Sequence, residues 1–304
     1  MLRRGLHVHR AHGIQEALAL LEEYGEDATL YAGGTELVLV LKLGLSSAQH
    51  LVDVRGIPEL TGVGLLADGE PDTGTVLRIG AATTHWALQG APAVRAGWPA
   101  LAAMERTVGN LRVQATGTLG GNLCFADPQS DPATFLVAGE AAVVCASAGP
   151  RRTMPVADFL VDAYSPALRE GEELLESILL PLPAEGTSVV HRKLAFGERP
   201  DVTCCAFVTT VDGRIDGARV VLGSVTGVPV ALAAATELVG RSSAEAADAA
   251  DDVAHTAVAE VADRMLGDKQ TPYARSLARS LVASVVAEAV TAGAAPPPAS
   301  FPGG

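Results

Sequence analysis

Two glycine-centred runs carry the residue types that could do chemistry, Tyr31-Ala32-Gly33-Gly34-Thr35-Glu36-Leu37 and Gly117-Thr118-Leu119-Gly120-Gly121-Asn122. Adjacent glycines alone say little in a chain with 32 glycines. Their setting says more, because each pair follows a predicted strand and runs directly into a polar residue, Thr35 or Asn122. Such turns expose consecutive backbone N–H groups with no side chain in the way, which suits the oxygens of a phosphate or pyrophosphate. Two such turns suit a dinucleotide better than one. The residues by themselves leave two readings open: a pair of phosphate- or dinucleotide-binding loops, and two plain tight turns.

Other chemistries lose their support on spacing. Gly62-Val63-Gly64-Leu65-Leu66-Ala67 matches the G-x-G-x-x-G/A fingerprint, but it leads into ADGEPDTG, which cannot be the helix that fingerprint requires. No Lys is followed by Ser or Thr, so there is no Walker A loop, and no Ser sits in a G-x-S-x-G elbow. Cys124, Cys145, Cys204 and Cys205 form no C-x-x-C and no zinc or iron–sulfur spacing. Alternation in DVTCCAFVTTV sends the vicinal Cys204 and Cys205 to opposite faces of a strand, so they read as ordinary buried thiols. His7, His9 and His12 read as a surface or strand edge, and no metal ligand set is expected. The seven carboxylates between Glu245 and Asp268 read as a solvated helical face.

The elements that must position the two runs follow from the pattern around them. Ile14, Ala17, Leu18 and Leu21 make one helical stripe, ended by Gly25. A short strand over Thr29 to Tyr31 enters the first run, and ELVLVLKLG leaves it as a buried helix ending at Gly44. LVDV (51–54) and TVLRIGA (75–81) read as strands, Thr83-Thr84 start a helix at His85, and Pro99 opens another. AAVVCAS and ELLESILLPLP are further strands, and the Pro181-Leu182-Pro183 and Gly186 cluster marks a boundary. Beyond it the β-branched runs 188–196, 202–211 and 218–225 read as an antiparallel meander. The last helix has Thr271 as N-cap, Pro272 in its first turn, and Leu277, Leu281, Val285 and Ala289 at i, i+4 spacing.

Composition narrows the class. The chain has 304 residues, 48% hydrophobic and 19% charged, with a formal net charge of −13 and only three lysines, Lys42, Lys193 and Lys269. That balance argues against nucleic acid and anionic lipid as partners. No stretch approaches the ~20 apolar residues of a membrane span, and a cytoplasmic protein is expected.

On YAGGTEL (31–37) together with GTLGGNLCFADPQSD (117–131), the chain resembles the FAD-binding medium subunit of the molybdenum hydroxylases, the group that includes xanthine dehydrogenase and carbon monoxide dehydrogenase. The similarity extends over EALALLEEYG, LVDVRGIPEL, IGAATTH, the RKLA segment and YARSLA, nearly the whole chain. The resemblance implies an α+β fold in which residues 1–184 are a two-subdomain α/β FAD-binding domain (PCMH-type, vanillyl-alcohol-oxidase-like; subdomains about 1–60 and 61–184). A C-terminal α+β domain with a three-stranded antiparallel sheet and helices would occupy 185–292, and 293–304 would be a flexible tail.

Carried over by position, the resemblance assigns FAD to Leu30, Tyr31, Ala32, Gly33, Gly34, Thr35, Glu36 and Leu37, and to Thr118, Leu119, Gly120, Gly121 and Asn122. It further assigns Asp131 to the sugar or adenine side, Val108 to a position where the family often has an aromatic, Leu175 to packing near the flavin, and Lys193 to the lysine of the RKLA-type segment. Two readings of Lys193 stay open, a charge favouring reduced flavin and a surface ion pair with a nearby carboxylate. Gly13 departs from the family's usual Ser cap, and His191 stands where an aromatic is frequent. The implied function is electron transfer, with FAD here and the molybdenum cofactor and [2Fe-2S] clusters in partners. Those partners would be an iron–sulfur small subunit and a molybdopterin large subunit, arranged as a dimer of heterotrimers, with NAD, oxygen or a quinone-like carrier as acceptor. A self-contained FAD-dependent reductase or oxidase of the same fold is the second reading, and a flavin-binding assembly protein without turnover the third.

Overall fold

The computed structural model describes residues 5–67 and 75–292; residues 68–74, within ADGEPDTG, and the expected tail over 293–304 lie outside the described residues. The chain divides into two compact units, one from 1–127 with 140–182 and the other from 128–139 with 183–304.

In the first unit, β1 (His7–Arg10), β3 (His50–Asp53) and β2 (Ala28–Tyr31) form a three-stranded parallel sheet in the order β1-β3-β2. Helix α1 (Ile14–Tyr24) covers it with the stripe read from the sequence, packing Ile14, Ala17, Leu18 and Leu21 against Val52, Val54 and Ile57. Gly13 at its N-terminus makes no side-chain cap, and Gly25, at φ 53°, closes it by an N–H bond to the Leu21 carbonyl.

Helix α2 (Leu37–Leu43) ends at Gly44 as expected, but it is not a buried helix. Leu41 alone is buried, on Ala48 and Leu51, while Leu39 and Leu43 stand in solvent. Its composition is apolar on every face, but the small cluster around Leu41 covers only one.

A five-stranded antiparallel sheet follows in the order β4-β5-β10-β6-β7, from β4 (Val63–Ala67), β5 (Thr75–Gly80), β6 (Ala142–Ser147), β7 (Arg152–Pro155) and β10 (Glu173–Pro181). Because β4 is a strand, Gly62 to Ala67 do not open a dinucleotide-binding helix. Short helices accompany this sheet: α3 (His85–Gly90), α4 (Pro92–Gly97), α5 (Pro99–Glu105), α6 (Leu111–Thr116) and α7 (Leu119–Phe125). Thr84 caps α3 by accepting the Ala87 N–H. A small hairpin of β8 (Leu160–Asp162) and β9 (Ser165–Pro166) follows the single turn α9 (Val156–Phe159).

The second unit is built on β11 (Thr187–Leu194), β12 (Val202–Val211), β13 (Arg214–Gly223) and β14 (Val230–Ala231), all antiparallel. The sheet has four strands where the sequence reading expected three, because β14 is two residues long and too short to show alternation. Helix α8 (Asp131–Ala138), which continues the second glycine run in sequence, packs here on β12 and β13. It is joined by α10 (Ser243–Asp248), α11 (Ala250–Val261) and α12 (Pro272–Ala292), whose apolar faces share one core with Val220, Leu222 and Val208. Thr271 caps α12 through the Ala274 N–H, as expected.

Cys204 and Cys205 are fully buried free thiols whose pKa burial raises well above the ordinary value; Cys145, also free and buried, is pushed up to about 11. In the acidic stretch, Glu260 is not simply solvated, since its carboxylate accepts the N–H groups of Ala233 and Ala234 at 2.9 and 2.8 Å. Among the described residues no helix is long and apolar enough to cross a membrane, and no group of three or more His, Cys, Asp or Glu could hold a metal ion.

Candidate flavin site

The first glycine run begins where β2 leaves the parallel sheet. Alternation continues past the strand, so Leu30 and Ala32 pack towards the α1 core while Tyr31 and Leu37 pack on the Leu41 cluster. Gly34 then takes φ 70°, and an ideal Cβ there would lie 2.5 Å from the Tyr31 ring, so only glycine fits between that ring and the start of α2. Among the described residues, no acceptor is paired with the backbone N–H groups of Gly33, Gly34 or Thr35. Three adjacent donors at a turn opened by two glycines fit the anionic oxygens of a pyrophosphate-bearing group.

Arg55 was not singled out by the sequence reading. Its guanidinium lies 4.8 Å from the Tyr31 ring centroid and is held by Asp53 through contacts of 3.0 and 2.8 Å. The hydrogen bond from Arg55 holds the Asp53 carboxyl below its ordinary pKa. Asp53 and Tyr31 are register partners on β3 and β2, a pairing that appears only once the parallel sheet has formed.

The second run behaves differently. It was expected to expose N–H groups, but the chain itself uses them: Leu119 donates to Thr83 O, Gly120 to Ala81 O, Gly121 to the Thr118 hydroxyl and Asn122 to Thr118 O. These residues are the first turn of α7, capped by Thr118, so the donors serve the helix and its anchor rather than forming a second nest. The glycines here permit close packing, since an ideal Cβ at Gly120 would lie 2.5 Å from Ala81 Cβ. The two runs meet directly. An ideal Cβ at Gly33 would lie 2.3 Å from Thr116 O and 2.7 Å from Gly117 Cα.

Of the remaining expected residues, Val108 is buried between α5 and α6, its carbonyl accepting from Gln114 Nε2, and Leu175 is buried in β10 opposite Cys145. In the second unit Asp131 and Lys193 meet each other. Lys193 Nζ donates to Asp131 Oδ2 at 2.6 Å, with the Asp131 side chain 3% exposed. His191, two residues along β11 from Lys193, places Nε2 3.6 Å from Asp131 Oδ1 and packs beside the Phe135 ring. Burial, with Lys193 and Arg192 adding repulsion, lowers the His191 pKa to about 3, so the ring is neutral in the folded protein at ordinary pH.

That shift fixes a pH dependence. Below pH ~6.5 the unfolded chain binds a proton at His191 that the folded chain refuses, so stability falls as pH drops through that value, continuing towards the folded pKa of about 3. Between pH 8 and 5 this costs about 2 kcal/mol at 1.4 kcal/mol per pH unit. Urea unfolding of a His191→Phe variant is expected to lack that increment; equal losses in both proteins would refute the assignment.

The carbon monoxide dehydrogenase medium chain of Hydrogenophaga pseudoflava is 32% identical over 266 residues, covering 86% of this chain and 89% of the relative. The xanthine dehydrogenase FAD-binding subunit of Escherichia coli O157:H7 is 28% identical over 225 residues, covering 73% and 75%. Among solved structures, carbon monoxide dehydrogenase from Oligotropha carboxidovorans superposes with a TM-score of 0.84 at 28% identity, over 96% of this chain and 99% of that one. Quinoline 2-oxidoreductase from Pseudomonas putida 86 gives 0.87 at 25% identity over the same shares. The family model described as the FAD binding domain in molybdopterin dehydrogenase matches residues 4–183, a span that contains both glycine runs and the contact between Gly33 and Gly117; this chain belongs to that family, as an FAD-binding medium subunit of the molybdenum hydroxylase type.

Proposed function

We propose that the chain is the flavin subunit of a heteromeric molybdenum-containing hydroxylase or dehydrogenase, holding FAD non-covalently with its pyrophosphate on the N–H groups of Gly33, Gly34 and Thr35. The observation that carries this reading is that row of donors, packed by Gly33 against the Thr116-Gly117 turn. The chemistry that bound FAD supplies is exchange between one-electron carriers and a two-electron acceptor. The protein's own part is to bind, orient and shield. Tyr31, backed by Arg55 and Asp53, walls the first loop, and the α7 turn from Thr118 to Asn122 gives it a rigid neighbour.

The finer reading is a PCMH-type, vanillyl-alcohol-oxidase-like FAD-binding domain over 1–184, with 185–292 as the C-terminal α+β domain. Val108, Leu175, Asp131 and Lys193 are further cofactor contacts on the resemblance alone. Partners would be an iron–sulfur small subunit and a molybdopterin large subunit in a dimer of heterotrimers in the cytoplasm. NAD, oxygen or another carrier would be the acceptor.

The test is to purify the chain both alone and from its native host. Alone, it is expected to retain FAD at one per chain and to leave NAD(P)H and a small substrate unreacted. From the host, it is expected to carry molybdenum and iron with two further subunits by metal and mass analysis. Sustained turnover by the isolated chain would replace this reading with the self-contained reductase or oxidase.

A further inference from the structure

Beneath the turn that touches Gly33 lies a buried polar pair that the flavin reading does not use. His85 is 2% exposed and Glu105 0%, and His85 Nδ1 lies 2.6 Å from Glu105 Oε2. Among the described residues Glu105 Oε1 has no hydrogen-bond partner. A buried polar pair with an oxygen left over is poor at stabilising a fold, because apolar residues of the same volume pack without the desolvation cost. Such a pair does fix a ring in one orientation.

That orientation faces the site. An ideal Cβ at Gly117 would lie 3.2 Å from His85 Cδ2 and 3.5 Å from Nε2, so the imidazole edge abuts Gly117. Backbone bonds lock the same strip, with His85 N–H donating to Gly117 O at 3.1 Å and Thr84 bridging Thr118. Gly33 packs on the same turn, against Thr116 O and Gly117 Cα. Contacts therefore run from Glu105 through His85 and Gly117 to the loop bearing the three N–H donors. Gln114 supports the strip from α6, its Nε2 donating to the carbonyls of Arg106 and Val108 at 2.9 and 3.1 Å.

We propose that the His85–Glu105 pair is a positioning device that sets the Thr116-Gly117 turn against Gly33 and so holds the Gly33–Thr35 donors where a pyrophosphate needs them. This rests on the flavin reading above. His85 is a positioning residue, acting through Gly117, and Glu105 aims its ring.

The experiment measures FAD affinity of the full chain by flavin fluorescence, thermal stability without FAD, and the ³¹P resonances of bound FAD. The proteins are wild type, His85→Leu, His85→Gln, Glu105→Gln and Leu101→Ala; Leu101 is buried on the same helix as Glu105 and serves as the control for general loosening. Misplacing the loop is expected to raise the FAD Kd about tenfold or more in His85→Leu and His85→Gln and to move the pyrophosphate resonances. Glu105→Gln, which keeps an acceptor for Nδ1, is expected to retain most of the affinity. Unchanged Kd and ³¹P shifts in the folded His85 variants would overturn the proposal, as would an equal Kd rise in Leu101→Ala at matched stability. A wild-type chain that takes up no FAD would instead remove the flavin reading itself.

Discussion

Gly33→Val is expected to abolish retention of FAD by the full chain, with an affinity loss of about 100-fold or more. The added Cβ would sit 2.3 Å from Thr116 O and 2.7 Å from Gly117 Cα, both backbone atoms in a turn pinned by neighbouring hydrogen bonds. No rotamer relieves that overlap, so the loop must move by about an ångström, enough to misdirect oriented donors. Gly121→Val is expected to do less, because its Cβ would meet only the Thr118 hydroxyl, at 2.8 Å, although it disturbs the α7 cap. Gly64→Ala serves as the neutral control, having nothing within 4 Å of the added carbon. Absorbance at 450 nm after gel filtration reads all three. Stoichiometric flavin in Gly33→Val would show that the first loop does not hold the cofactor.

The second large effect is expected at the Asp131–Lys193 pair. Lys193→Met should destabilise the chain by about 3 kcal/mol, because it leaves a carboxylate that is 3% exposed without this counter-charge. Asp131→Leu should cost less, since the Lys193 side chain is 18% exposed and can turn its ammonium to water. The double variant Asp131→Leu/Lys193→Met should recover most of the loss, giving a coupling of about 2 kcal/mol in urea unfolding. Additive effects would show that the contact carries no energy. The same proteins test the flavin reading of Lys193: a charge matched by Asp131 is expected to move the midpoint potential of bound FAD little when both are removed together.

Much of the local structure was legible because it depends on short-range chemistry. The α1 stripe, the Thr84 and Thr271 caps and the strand entering Gly33 each follow from residues within four positions of one another. Three features were not. Helix α2 was read as buried because its composition is apolar, and composition does not say how many neighbours a helix receives. The second glycine run was read as a nest, but Ala81 and Thr83, more than thirty residues earlier, take its Leu119 and Gly120 donors. His85 and Glu105 lie 20 residues apart with nothing in the linear pattern to pair them.

The sequence by itself determined the class of chemistry. Two glycine runs of family pattern indicate a flavin, and the four cysteines show no zinc or iron–sulfur spacing. Tertiary structure alone decided which loop offers donors, which glycines exist to let backbones touch, and that Asp131 and Lys193 answer each other. The physical reason is that a hydrogen-bonding group is defined by what already occupies it, and for a backbone N–H that occupant is set by folding rather than by its own residue.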